Sequence, residues 1–284
     1  MKSFSERMGL KPIREVLQKD SMDDELRNRL WSLLNQCYWD QFSGLEKIHY
    51  LDEEKEFFVQ LWDVYFKKPL DTLSDYFDET HDDIREAFFK CKWNNVYDFI
   101  EFVANNYPDE ELNEKFVELC NCRLQEELSA YRFVGKMIIL ITSDEEISAI
   151  EEAIQVPLKP VQEHLKRSLE LLADRENPDY RNSIKESISA VESMCKIMTG
   201  DSNIRNALNR IRKDCGLHDN LKTAFQNLYS YTSDSNGIRH CMTADPDVGQ
   251  EEAKFMLVTC SAFVNYLVAK ASTKGIDLST PSPK

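Results

Sequence analysis

Apolar residues recur at helical spacing along almost the whole chain, broken once by a short stretch with the period of a strand. Residues 8–17 hold a short helical pattern opening around Pro12, a favourable first-turn residue. In DSMDDELRNRLWSLLNQCYWDQF, Leu26, Leu30, Leu33, Leu34 and Cys37 share a face, with Ser21 as the expected cap and Asp24 three residues on. Phe57, Phe58, Leu61, Trp62, Tyr65 and Phe66 form the next apolar helix, ended by Pro69. Such an aromatic set either packs a core or lines a ligand pocket, and core is the reading taken. DDIREAFFKCKWNNVYDFIEFVANNYP supplies two further helices, with a break expected at Asn94–Asn95 and a close at Pro108. DEELNEKFVELCNCRLQEEL is helical again, with Leu112, Phe116, Leu119, Cys120 and Leu128 inward.

The period then changes. AYRFVGKMIILIT carries β-branched and aromatic residues around Gly135 and predicts a β-hairpin near 130–142. A helix follows from the capping box Ser143/Glu146 to about Gln155, and the pair Pro157 and Pro160 marks a junction. Beyond it come four helical patterns. The first places Val161, Leu165, Leu169 and Leu172 on one face, with His164 beside it as a structural histidine. The second has Asn177 as the expected cap, Pro178 in its first turn and Gly200 just past its end. After NIRNALNRIRKDCG and LHDNLKTAFQNLYSYTSDSN comes a polar turn, then a last helix from about Gln250 to Lys270 and a frayed tail. The expected fold is mainly α, in two helical domains: 1–156 with the hairpin, 157–274 as a bundle, and 275–284 as a flexible tail.

Charge sharpens that division. Residues 1–155 carry 18 Lys and Arg against 34 Asp and Glu, while residues 156–284 carry 17 against 16. An acidic first part repels phosphate backbones, so a nucleic acid would approach the second. No apolar run near membrane-span length stands out; the longest, at Met137–Ile141, is strand length, and the charged start is not a secretory signal. The eight cysteines lack the spacing of a disulfide scaffold, which points to a reduced, cytoplasmic protein. Cys120-x-Cys122 and Cys215-x-x-His218 offer two ligands each and no completing pair, so neither metal nor cofactor is expected. No P-loop, dinucleotide fingerprint, His-Glu-x-x-His or Gly-x-Ser-x-Gly is present.

The candidate chemistry lies in SNGIRHCMTADPDVG, the turn before the last helix. Arg239 is a permanent cation with forked donors, and His240 can take and give a proton near neutral pH. Asp245 is the ionisable residue that follows. A structural role suits the same residues: Arg239 can cap the preceding helix or pair with Asp234 or Asp245, and Asp245–Pro246 is an ordinary turn.

GIRHCMTADPDVGQEEAKFMLVTCSAFVNYL, preceded by YRNSIKESISAVESMCK, resembles the C-terminal HEPN-like domain of bacterial abortive-infection proteins of the AbiJ type. FSERMGLKPIREVLQKDSMDDELRNRLWSLL and AYRFVGKMIILITSDEEISAIEEA resemble one of the AbiJ N-terminal domain classes. The resemblance implies an all-α HEPN bundle, dimeric, in phage defence. Many such domains are metal-independent RNases whose signature is an Arg, a polar residue, and a His four to six residues after the Arg. Arg239 and His240 fit the first two positions. The window after them holds Thr243, Ala244, Asp245 and Pro246, so the distal His is absent. Two copies of the turn in a homodimer would supply two Arg and two His to one RNA phosphate. The rival reading is a non-catalytic HEPN adaptor or dimerisation module that binds a protein or nucleotide partner. The trigger, whether a regulatory ligand or a phage component, is not legible.

Overall fold

The structure is a computed structural model that describes residue 8 and residues 17–42, 52–174, 178–233 and 248–278. It divides into two compact units, Met1–Thr142 and Ser143–Lys284. Mainly α architecture with one small antiparallel hairpin is what the periodicity predicts.

The first unit holds α1 (Asp24–Leu34), α2 (Asp52–Gln60), α3 (Phe77–Lys90), α4 (Trp93–Asn106), α5 (Glu110–Glu126), β1 (Tyr131–Val134) and β2 (Met137–Leu140). The α1 cap is Asp23, not Ser21: its carboxylate accepts from Leu26 N at 2.8 Å, satisfying a first-turn amide. Both α1 and α2 run on into π turns, at Asn35–Trp39 and Leu61–Tyr65. These continuations carry Tyr38, Trp39, Leu61 and Trp62 into an aromatic core with Phe57, Phe58 and Phe116. Tyr38 donates to Asn113 Oδ1 at 3.0 Å and Asn113 Nδ2 donates to Tyr107 O at 2.8 Å, so this buried polar pair is satisfied.

The break between α3 and α4 falls at Cys91–Lys92, and Asn94 and Asn95 lie inside α4. The physical reason is Arg27. Its guanidinium donates to the carbonyls of Phe88 (2.9 Å), Phe89 (3.2 Å) and Cys91 (2.9 Å), satisfying the end of α3 from another helix. The hairpin pairs Tyr131 with Leu140 and Val134 with Met137. Gly135 takes φ +58°, the left-handed backbone a tight hairpin turn demands. Glu101 of α4 accepts from Ile138 N at 2.6 Å and clasps β2 from the side.

The second unit holds α6 (Asp144–Gln155), α7 (Lys159–Ala173), α8 (Tyr180–Thr199), α9 (Ile204–Cys215), α10 (Asp219–Ser233) and α11 (Gln250–Thr273). Ser143 caps α6 by accepting from Glu146 N at 3.2 Å, and Glu146 pairs with Lys254 of α11. The α8 cap is Asp179, which accepts from Asn182 N at 3.0 Å; Pro178 therefore precedes the helix, and Asn177 lies outside the described residues. Gly200 closes α8 at φ +72° as expected.

The interface of α7 and α8 is small and hydroxylated. Ser168 Oγ donates to Ser183 O at 2.8 Å and Ser183 Oγ donates back to Ser168 O at 2.9 Å, with Ser187 Oγ 2.7 Å from Ser168 Oγ. Small side chains bring the two backbones close, and each hydroxyl has a partner. Helix α11 is the apolar centre of the unit: it buries Met256, Leu257, Cys260, Phe263, Val264 and Leu267 and packs on α6, α7 and α8. By length and composition alone it is apolar enough to cross a membrane, which the reading of runs in the sequence overlooked. Forty-four per cent of its most apolar window is buried within the unit, as suits a core helix.

Candidate functional site

Arg239, His240 and Asp245 all lie outside the described residues, which stop at Ser233 and resume at residue 248. The structure does describe the two helices that lead into and out of their turn. The exit is capped: Gly249 N donates to Glu252 Oε2 at 2.9 Å, fixing the first turn of α11. Glu251 and Glu252 sit where the helix dipole favours anions. Glu252 also lies close enough to Tyr231 for its charge to add to burial in raising the tyrosine pKa. The end of α10 and the start of α11 are therefore neighbours.

Helix α10 is held thinly. Its buried side chains are Phe225 and Thr232, while Leu221 and Tyr231 stay exposed at 39% and 47%. Phe225 stacks on Phe263 of α11. Phe255, one turn into α11, is 56% exposed. Large apolar groups thus remain uncovered near the ends of both flanking helices.

A feature the sequence reading did not single out is the outer face of α9. Arg205, Arg210, Arg212 and Lys213 are all exposed there, and Asp214 is the helix's one acid. Arg212 pairs with Asp219 at 3.1 Å, which ties this face to the start of α10. The signal was present in IRNALNRIRKDC, where every charge falls outside the buried stripe of Ile204, Leu208 and Ile211. Four cations on one amphipathic helix offer phosphate oxygens a run of donors.

Other candidates resolve into structural roles. His164 Nδ1 lies 2.6 Å from Glu186 Oε2, a partnered histidine on the α7–α8 surface, as expected. Cys120 is buried and Cys122 exposed, so the two thiols face apart; Cys215 is buried and His218 exposed. Among the described residues no group of His, Cys, Asp and Glu could hold a metal, and every described cysteine is free. Burial pushes the Cys195 thiol up to about 12, which makes it a small hydrophobe rather than a nucleophile.

The chain matches the family model described as AbiJ N-terminal domain 4 over residues 2–156. That span takes in the whole helical and hairpin unit from residue 2 and adds α6, which packs on α7 and α11. No curated protein and no solved structure matches the chain. With more than half of its length so matched, the chain belongs to the AbiJ N-terminal domain 4 family and is an abortive-infection-related protein.

Proposed function

We propose that the protein is an anti-phage abortive-infection effector whose second unit is a HEPN-like bundle acting on RNA as a metal-independent endoribonuclease. The observation that carries this reading is the cationic outer face of α9, joined through Arg212–Asp219 to the helix that leads into the Arg239–His240 turn. The face would hold the RNA backbone; the turn would supply the chemistry.

Metal-free cleavage needs a base for the 2′-OH proton, an acid for the 5′-oxygen and a cation for the charge on phosphorus. Arg239 suits the last role, bidentate on phosphate. His240 suits either proton role. Asp245, with a carboxylate's ordinary pKa of about 3.9, is a weak acid donor at neutral pH. One chain therefore offers an incomplete set, and a homodimer that brings two turns together completes it with a second His240. The exposed Tyr231 and Phe255 beside the turn support a partner at that place.

Induction in cells tests the reading. Wild type is expected to arrest growth and fragment total RNA, and purified protein to cut RNA in excess EDTA. Arg239→Ala and His240→Ala should abolish both at unchanged melting temperature. Intact RNA with and without phage would overturn the nuclease reading and favour the rival, a HEPN adaptor or dimerisation module, which the absent distal His and the uncovered apolar groups also suit.

A further inference from the structure

Three helix ends meet at one corner of the second unit. The end of α9 is tied to the start of α10: Arg212 pairs with Asp219 at 3.1 Å, and Lys222 Nζ donates to Asn209 Oδ1 at 3.2 Å. The end of α11 arrives at the same place. Cys215, buried at the close of α9, has a thiol pKa raised by burial and by Asp214, and the charges of Lys274 and Lys270 act against that rise. The Phe225–Phe263 stack and the nearness of Tyr231 to Glu252 show that α10 and α11 run antiparallel. Asp219 and Lys270 therefore share one end of the pair. Ser233, where the chain leaves α10 for the Arg239–His240 turn, lies at the other.

This corner carries charge of the opposite sign to the chain. Residues 201–222 and 266–277 together hold seven Lys and Arg against four Asp, in a chain of net charge −15. Three of the cations are engaged: Arg210 with Asp201 and the Thr199 carbonyl, Arg212 and Lys222 with Asp219. Lys270 lies over the Tyr266 ring, 5.5 Å from its centroid. Arg205 and Lys213 are exposed and pair with none of the described residues. Between them in sequence α9 exposes Asn206 and Asn209, and along its whole length it exposes no apolar side chain. A protein interface is built round an apolar core, which this face lacks. Cations interleaved with amide donors suit phosphate and ribose oxygens instead.

Distance gives the corner a role separate from the chemistry. Helix α10 runs 15 residues from Asp219 to Ser233, about 20 Å at roughly 1.5 Å per residue. A stacked strand advances roughly 3.4 Å per nucleotide, so about six nucleotides span the helix. We propose that this corner anchors the phosphate backbone of RNA one α10 length away from the entry to the cleaving turn, so that the protein selects chains longer than about six nucleotides without regard to base sequence. Phosphate contacts position a chain and carry no sequence information. A length requirement for cutting rests on the ribonuclease reading. Backbone binding at the corner does not, and it stands even if the protein cuts nothing.

Fluorescence anisotropy of the full chain with 2′-O-methyl RNA, which has no 2′-OH to react, tests binding apart from cleavage. A labelled RNA of about 20 nucleotides should bind at about 0.1 M salt, and one of about four nucleotides at least tenfold more weakly. Arg205→Gln, Lys213→Gln and Lys274→Gln combined should weaken the long RNA at least tenfold and make the slope of log affinity against log salt shallower by about 2. The melting temperature should not change, since all three side chains are exposed. Lys166→Gln with Lys185→Gln, which removes exposed cations of α7 and α8, should change affinity less than twofold. Long RNA that does not bind at low salt overturns the proposal, as does binding that the triple variant leaves unchanged or the α7–α8 variant weakens equally. Short RNA that binds as tightly as long RNA overturns the length selection. Polyglutamate that displaces the RNA at equal charge overturns the RNA assignment and points to an acidic protein. Binding as described, with no cleavage of unmodified RNA, would sink the ribonuclease reading and leave this one standing.

Discussion

The rings of Phe225 and Phe263 stack with centroids 3.7 Å apart and planes within 14°, and this pair fastens α10 to the core helix α11. Phe225 is one of two buried side chains described on its helix. The arm that leads into the Arg239–His240 turn therefore depends on one aromatic contact together with its packing on α8 and α9.

Truncating that contact has a defined consequence. Phe225→Ala is expected to cost about 3 kcal/mol, measured by urea denaturation. Amide exchange should speed up along α10 well before α8, because a helix with few buried side chains opens locally first. If α8 and α10 amides accelerated equally, α10 would be an integral part of the bundle.

Arg27 holds three carbonyls at the end of α3. Arg27→Met keeps the apolar stem and removes the donors, so the carbonyls lose the guanidinium, and Phe88 O keeps only the Cys91 thiol. The expected loss is about 1–3 kcal/mol, seen as a lower melting temperature of the first unit. All three bonds come from the single nitrogen Nη1, so Lys in the same place, which also ends in one nitrogen, should recover part of the loss.

Glu101 gives the fold a pH dependence. Burial raises its carboxyl above the ordinary range, although Ile138 N donates to it. With the folded pKa above the unfolded one, the stability this group contributes is full below the unfolded value and is lost as pH rises through the folded value. Glu101→Gln keeps an acceptor for Ile138 N and removes the charge. It should melt higher than wild type at pH 7, and the difference should shrink as pH falls towards 4. A difference that stayed constant with pH would exclude a titrating Glu101.

The α7–α8 crossing tolerates little added volume. Ser168 is fully buried between Ser183 and Ser187. Ser168→Val adds methyl groups where the backbones meet and strands the Ser187 hydroxyl. The expected loss is about 1–3 kcal/mol by thermal or urea denaturation, whereas Ser168→Ala should cost less.

Much of this architecture was legible because its determinants are local. Helical periodicity marked the helices, Gly135 marked the hairpin turn, and Gly200 marked the end of α8. Caps were less legible where two polar residues compete: Ser21 and Asp23 both suit a helix start, and the backbone geometry at Asp23 decides. The α3–α4 break was misplaced at Asn94–Asn95 because the residue that ends α3, Arg27, is some sixty positions away in sequence. The aromatic set from Phe57 to Phe66 was read as core. That holds: Phe57, Phe58, Leu61 and Trp62 are buried, and Tyr65 and Phe66 pack half-buried against the same core, although the π turn that places them leaves no mark in hydrophobic periodicity. Of the candidate site, Arg239, His240 and Asp245 lie outside the described residues, and the cationic face of α9 emerges only when its four cations are placed together on one helix.

The wide turn at Leu61–Tyr65 can also be understood as one residue more than a regular helix would use. Deleting the exposed Val64 would let the segment relax to ordinary α geometry with its hydrogen bonds intact. Phe66 would then sit one α turn beyond Leu61 and keep its direction, whereas the same deletion in a regular helix would turn every later side chain by about 100°. A single-codon deletion would thus remove the wide turn while sparing the direction of Tyr65 and Phe66, which shows that the extra residue is absorbed locally rather than passed along the helix.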